Sequence, residues 1–485
     1  MVEKKDAVDD SPFERNLTWK QGVAIAMGAP VLILPSIGYT ANYLWGAAVI
    51  LWALSVVQTI FQNIAYAELA TTFPRASGLP GFAQAVLSKK ESGGNKKYTL
   101  SKFIGGFSSW SYWFAWNPVL AVMTITAAWY IKGVVPAFAN LDVVILSLIL
   151  GAVIFASLIL VNLKGLANGA KLGMVLAVVA IVPVMAIALA PMGTSAFDLS
   201  NITNAMLPTT WTWDIEHVMI LSGLFAIALW STGGSEAVAI YGPRYKNPKK
   251  DIPKALLICV SIIMLTFVWI QASATATLGV EGILAEPVSP LIGMATIAFG
   301  SAIAPIVLLV LVAAIVLIEQ TAILGSGIAM QQMAEAGNLP KTFAKVNAHG
   351  IPVRAMVFIA LFNLFLITLK TPVAIIAAAS FGYILVNGIS LFAFIKARRD
   401  PELKNLPRPY KAPRGWTFVA LLVGLFNIPI ILSGLVYLQI YESGIQSVIV
   451  GIVVLLIYVP IWVYSQRAHE QPNKDVEVVP EGRQT

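Results

Sequence analysis

Residues 27–35, MGAPVLILP, sit in the middle of the first long apolar segment of the chain. A helix centre is a poor place for Gly28, Ala29 and Pro30 in succession. Gly adds backbone entropy to be lost, and Pro lacks an N–H and crowds the carbonyl four residues back. The sixth apolar segment carries a similar interruption, FAIALWSTGGSEAVAIYGP (225–243), with Gly233 and Gly234 adjacent at its centre. If these segments lie in a bilayer, an unwound stretch frees backbone N–H and C=O groups that lipid cannot satisfy and a polar substrate can. Half-helix ends also present partial charges to a ligand. Interruptions at matching places in two halves point to an inverted repeat with a substrate site at the midplane.

The composition supports the bilayer. Of 485 residues, 58% are apolar and 12% charged, with a mean hydropathy of +0.79. Soluble chains carry roughly 25% charged residues. The apolar residues come in blocks near the ~20 residues that cross a membrane. About twelve spans are expected, at 19–40, 45–70, 103–132, 143–163, 170–192, 218–242, 255–278, 303–334, 353–369, 372–397, 415–437 and 444–465. Residues 287–300 read as a short extra helix outside the membrane. Helices one to five (19–192) form the first repeat, six to ten (218–397) the second, and eleven and twelve (415–465) are additions. The tails, 1–18 and 466–485, are polar. The first segment is too long for a signal h-region and has no cleavage site, so the N-terminus is expected to be retained.

Lys and Arg set the orientation. With the N-terminus inside, 30 of the 32 fall on one side, and only Lys132 and Lys370 on the other. The positive-inside rule then makes both termini cytoplasmic, in a multi-pass protein of the plasma membrane. The net charge of +8 is explained by basic loops beside an anionic leaflet, without nucleic acid. The single cysteine, Cys259, cannot form an internal disulfide. No metal-ligand cluster or phosphate-binding Gly loop is visible, so neither a cofactor nor ATP-driven transport is indicated. The spans show no convergent nucleophile and base, which argues against a membrane enzyme. A homo-oligomer is compatible with the sequence, which does not select one.

Three loop stretches, YKNPKKDIPKAL (245–256), MAEAGNLPKTFAKVNAHGIPVRA (333–355) and RPYKAPRG (408–415), together with AYAELATTFPRASG (65–78), resemble the amino acid–polyamine–organocation permeases. The resemblance covers nearly the whole chain in order. It implies an all-α integral membrane protein of the leucine-transporter type, with a five-plus-five inverted repeat and broken helices one and six. It also implies secondary transport of amino acids or amines by alternating access. In such permeases the first-span motif Gly-Ser-Gly-Ile-Phe holds a substrate carboxylate through backbone N–H groups. Here Gly28-Ala29-Pro30-Val31-Leu32 takes its place after Met27, and Pro30 removes one N–H. A carboxylate grip is weakened, which leaves room for an amine.

The sixth span is similar to the arginine/agmatine exchanger group. Trp230, Ser231 and Thr232 precede the Gly233–Gly234 break, and Glu236 follows it. The resemblance implies that Trp230 stacks on substrate and that Glu236 serves pH sensing or gating. An aromatic face over a cation is worth ~0.5–2 kcal/mol; ordinary packing is the other reading of Trp230. Glu319 lies well inside the eighth span, where a carboxylate costs ~2.5–3.5 kcal/mol and so has a role or a partner. It binds a substrate ammonium if it faces a cavity; a structural bond near Gln320 is the alternative. Asn117, four residues after Trp113, either bonds substrate or joins helices. Pro118 should kink the third span, and Tyr383 in the tenth is a gate candidate. Glu68, near Arg75, reads as structural. Proton symporters of this family carry a Lys in the fifth span, fifteen residues after the Gly of NLKG; here that position is Ala180. The chain therefore resembles the exchangers, with a proton-coupled amino acid symporter as the alternative.

Overall fold

The computed structural model describes residue 15 and residues 17–468, apart from 75, 77, 88–98, 166–170, 174, 370 and 371. Most of both tails, and Arg75, Lys89, Lys90, Lys96, Lys97 and Lys370 of the charge count, lie outside the described residues. The regular elements described are helical; the one extended pairing among them is an isolated bridge between Leu17 and Tyr245. Among the described residues, ten helical stretches are long and apolar enough to cross a membrane. The first of these, Trp19–Thr72, contains two expected spans. The backbone leaves the helix between them at Trp45 (φ 48), and Gly46 and Ala47 donate instead to the carbonyls of Ala205 and Met206, at 3.0 and 2.9 Å. The expected ninth span is the shorter helix Val353–Ile367. The expected extra helix forms at Pro290–Phe299.

Both interruptions read from the sequence are present, in different forms. The first span runs as an α-helix over Trp19–Ala26, tightens to a 3₁₀ helix over Ala29–Ser36 and resumes at Ile37–Leu44. The sixth is helical over Ile215–Thr232, breaks through residues 233–235 and resumes only as the short turn Ala237–Ile240. Pro118 divides the third span into Leu100–Trp116 and Val119–Val134. The fifth contains a π-helical turn, Ala177–Ile181, which includes Ala180. Such turns insert a residue into the helical ladder and often mark functional places.

The third and tenth spans are almost wholly enclosed by protein, whereas the fourth, fifth, eleventh and twelfth show most of their surface outward. Side chains such as Leu54, Val153, Leu309 and Phe418 project apolar surface from the rim. In lipid this carries no penalty, so sorting between core and rim follows polarity rather than hydrophobicity.

Glu68 ends the second span, Ala48–Thr72, and shows what RPYKAPRG does. Its carboxylate accepts from Arg398 (Nε 2.9 Å, Nη2 2.5 Å), from Arg408 (Nε 2.9 Å) and from the Ala412 N–H (2.8 Å). Arg398 also donates to the Ala412 carbonyl, and Arg408 to those of Lys404 and Ala397. This ties the second span, the tenth and the loop beyond it into one piece. Removing one member of a buried ion pair leaves the other charges uncompensated. Glu68→Ala should therefore destabilise the protein by about 3 kcal/mol, read as a lower thermal midpoint in detergent. Arg399→Ala, exposed beside Arg398, should leave the midpoint unchanged.

Candidate functional site

The two interruptions meet each other. Gly234 adopts φ +106, and a Cβ built on it would lie 2.6 Å from the Cβ of Ala29 and 3.2 Å from the Trp116 ring. Only a residue without a side chain permits this approach at that φ. Gly28 in turn lies against the eighth span, where a Cβ would stand 2.9 Å from Ile318 Cα and 3.0 Å from Thr321 Oγ1. A Cβ on Gly233 would meet the Tyr383 hydroxyl at 2.5 Å. Three of the candidate glycines are thus contact points between the first, sixth, eighth and tenth spans.

The backbone at the breaks is largely accounted for. Val31 donates to the Gly28 carbonyl (3.0 Å), closing the first turn of the 3₁₀ helix. From the sequence, the helix is expected to break open at residues 28–30 and expose its backbone. Pro30 instead starts a tight helix well, because its fixed φ suits the first turn and its missing N–H is not needed there. In the sixth span the Glu236 side chain folds back, and its Oε2 accepts from the Gly234 N–H at 2.7 Å. Among the described residues its Oε1 has no hydrogen bond of full geometry, and the polar ends of the Trp116 and Tyr383 side chains stand beside it. The last turn of Ile215–Thr232 ends at the break, so its final carbonyls have no partners within the helix and give that end partial negative character.

Between the breaks lies a small cavity walled by Leu32, Ala115, Trp116, Val119, Trp230, Gly234 and Tyr383. About 10 Å³ of it is open to the centre of a water molecule, roughly room for one. Trp230 presents its ring there while its indole N–H donates to the Ala115 carbonyl at 2.8 Å. The sixth span is thereby tied to the third just before Pro118.

The remaining candidates are distributed around this centre. Ala29, Pro30 and Val31 are buried in the 3₁₀ turn, and Met27 is partly buried at its start. The Ser231 hydroxyl is buried without a partner among the described residues. Thr232 donates to the Ala228 carbonyl (2.9 Å) and lies 3.3 Å from the Thr59 hydroxyl. Asn117 and Glu319 do not line the cavity. Asn117 Oδ1 accepts from Asn363 Nδ2 at 2.9 Å, so this side chain joins the third span to the ninth, while its own Nδ2 has no partner. Trp113 faces the same way, towards Phe358 and Phe362.

Glu319 is fully buried in the eighth span. The Thr124 hydroxyl donates to its Oε1 at 2.7 Å, and its Oε2 has no partner. No Lys, Arg or His pairs with it among the described residues. Gln320 instead forms a reciprocal amide pair with Asn162 of the fourth span, at 2.8 and 3.0 Å. The neighbour is therefore the structural contact and Glu319 the under-satisfied one.

Sequence reading missed Trp116, Thr124 and the second span. There SVVQTIFQNIAY (55–66) places Ser55, Thr59 and Asn63 four residues apart, a polar face that the stretch itself displays.

Comparison with known proteins gives one consistent result. Residues 17–462 match the family profile described as amino acid permease. An uncharacterized transporter of Legionella pneumophila is 25% identical over 454 residues, 88% of this chain and 92% of the relative. A cadaverine/lysine antiporter of Escherichia coli K12 is 26% identical over 347 residues, 69% of each chain. The arginine/ornithine antiporter ArcD1 of Lactococcus lactis is 24% identical over 380 residues, covering 70% of this chain and 66% of that one.

The contact between the two breaks is open to direct test. Gly234→Ala should abolish ligand-induced thermal stabilisation and lower the midpoint of the free protein, since the added methyl collides with Ala29 in a strained backbone. Gly133→Ala, which meets nothing within 4 Å, should do neither.

Proposed function

The chain belongs to the amino acid permease family, and from that premise we propose that it exchanges a cationic amine or amino acid across the plasma membrane by alternating access. In this reading helices one to five and six to ten are the two inverted repeats, and both termini are cytoplasmic. The substrate sits where the first and sixth spans are broken. The observation that carries the reading is the meeting of Gly234 with Ala29 beside a cavity walled by Trp116, Trp230 and Tyr383. The water-sized cavity corresponds to a closed state, and opening on either side would widen it for substrate. Relatives named as cadaverine/lysine and arginine/ornithine antiporters support exchange and a cationic ligand.

Each residue has a part in this proposal. The carbonyl end of the sixth-span helix and the ring of Trp230 attract an ammonium, the ring contributing ~0.5–2 kcal/mol. Ser231, Thr232 and Gly233 shape that end. Between Met27 and Val31, Pro30 has no N–H and the N–H groups of Met27 and Val31 are bonded to Ala24 and Gly28, so a carboxylate is held weakly. Glu319 has an unpartnered oxygen and no compensating cation among the described residues; it stands off the cavity in this state, and supplies a counter-charge only where opening brings the eighth span to the substrate. Glu236 and Tyr383 form the gate over the break, and Asn117 keeps the third span in place through Asn363. Ala180, where family symporters carry Lys, favours exchange over proton-coupled uptake.

The test is a thermal-shift screen of the purified protein in detergent, since a ligand that binds only the folded state raises apparent stability. Lysine and ornithine would be compared with cadaverine and putrescine. Amines should stabilise more than the parent amino acids, and Glu319→Gln should remove the shift. A shift from amino acids alone would overturn the weak-carboxylate reading. Uptake into liposomes without internal substrate, driven by a proton gradient, would replace exchange with symport.

A further inference from the structure

We propose that Asn63 of the second span is a positioning residue that sets the geometry of the sixth-span break. This rests on the reading of that break as the substrate site. The second span carries Ser55, Gln58, Thr59, Gln62, Asn63 and Tyr66 inside the membrane, all buried. Its outer face is apolar, with Ile50, Leu54 and Phe61 exposed. Polar side chains at membrane depth are kept where they bond to neighbouring helices. Here their partners bracket one place. Thr59 lies 3.3 Å from the Thr232 hydroxyl, immediately before Gly233–Gly234, and Asn63 Nδ2 donates to Ser235 Oγ at 2.7 Å, immediately after them.

The two side chains are one turn apart on one helix face, so they grip both ends of the non-helical segment from a rigid rod. A third contact works indirectly. The Tyr66 hydroxyl donates to Asn387 Oδ1 at 2.5 Å, and Asn387 Nδ2 donates to the Tyr383 carbonyl at 2.7 Å. The hydroxyl of Tyr383 is the group that abuts Gly233.

A break containing two glycines has little conformational preference of its own. Its backbone direction, and with it the aim of the last helical carbonyls, is therefore imposed by side chains, Glu236 of the same span and those that reach it from other spans. From the second span, Asn63 contributes a hydrogen bond to the residue adjoining Gly234. Its Oδ1 is buried without a partner among the described residues, so the bond to Ser235 is what orients the amide.

The experiment uses the full chain in liposomes and detergent, with Asn63→Leu, Ser235→Ala and the double variant. Radiolabelled lysine and cadaverine are the probes. Asn63→Leu should raise the half-saturating concentration about tenfold, with the maximal exchange rate within about twofold, as for one lost hydrogen bond. If Asn63 acts through Ser235, the double variant should be no worse than either single one. Losses that multiply, or a fall in maximal rate alone, would overturn the proposal. Amide hydrogen exchange gives a readout that needs no substrate. Peptides covering residues 230–240 should exchange about tenfold faster in Asn63→Leu, while those covering 119–134 stay unchanged. Unchanged exchange at 230–240, or a uniform rise everywhere, would overturn the proposal even if neither probe binds. Absence of any wild-type binding, with the local acceleration present, would instead overturn the substrate reading and leave the positioning role standing.

Discussion

Hydrocarbon offers no hydrogen-bond partner, so a helix that breaks inside a bilayer must find cover for its backbone within the protein. The fold is arranged around that requirement. The first span meets it by tightening into a 3₁₀ helix, where Val31 bonds back to Gly28. The sixth meets it with a side chain of its own, Glu236, which folds back onto the Gly234 N–H. Ala29 and Gly234 then press together, and the Trp116 ring stands against Gly234. Mid-membrane irregularity is tolerated because each broken helix is the other's wall.

Two buried carboxylates show how differently the same group is used. Glu68 accepts four hydrogen bonds, three from arginines and one from a backbone N–H, and holds a loop against two helix ends. Nothing in its first coordination is left to offer a ligand. Glu319 has one hydroxyl donor and an oxygen with no partner. Desolvation weighs on both, but only at Glu68 does the protein supply the compensation. A carboxylate left under-satisfied at membrane depth keeps its capacity for a cation, whereas a saturated one is a strut.

The polar face of the second span belongs to the same logic. Thr59 and Asn63 hold the two sides of the glycine break, and Gln58 bonds Asn427 of the eleventh span at 2.7 Å. Both Asn117 and Asn162 make comparable amide contacts, to Asn363 and Gln320. Amide and hydroxyl pairs thus fix the relative positions of helices that lipid-like packing alone leaves free to slide.

Much of this was legible in the residues. Apolar block length determined the membrane class, and Gly28–Pro30 and Gly233–Gly234 marked both interruptions, because Gly and Pro act on the backbone locally whatever surrounds them. The extra helix near residue 290 and the structural character of Glu68 were also readable. What each interruption becomes was not: a 3₁₀ turn in one span and an open break in the other depend on Ile318, Trp116 and Tyr383, which come from distant parts of the chain. Nor could the sequence assign Asn117 to Asn363, pair Glu319 with Thr124, or aim Asn63 at Ser235, since each pair is separated by well over a hundred residues. Local propensity reports where a helix weakens; only the packing of the other helices decides which polar groups remain free to meet a ligand.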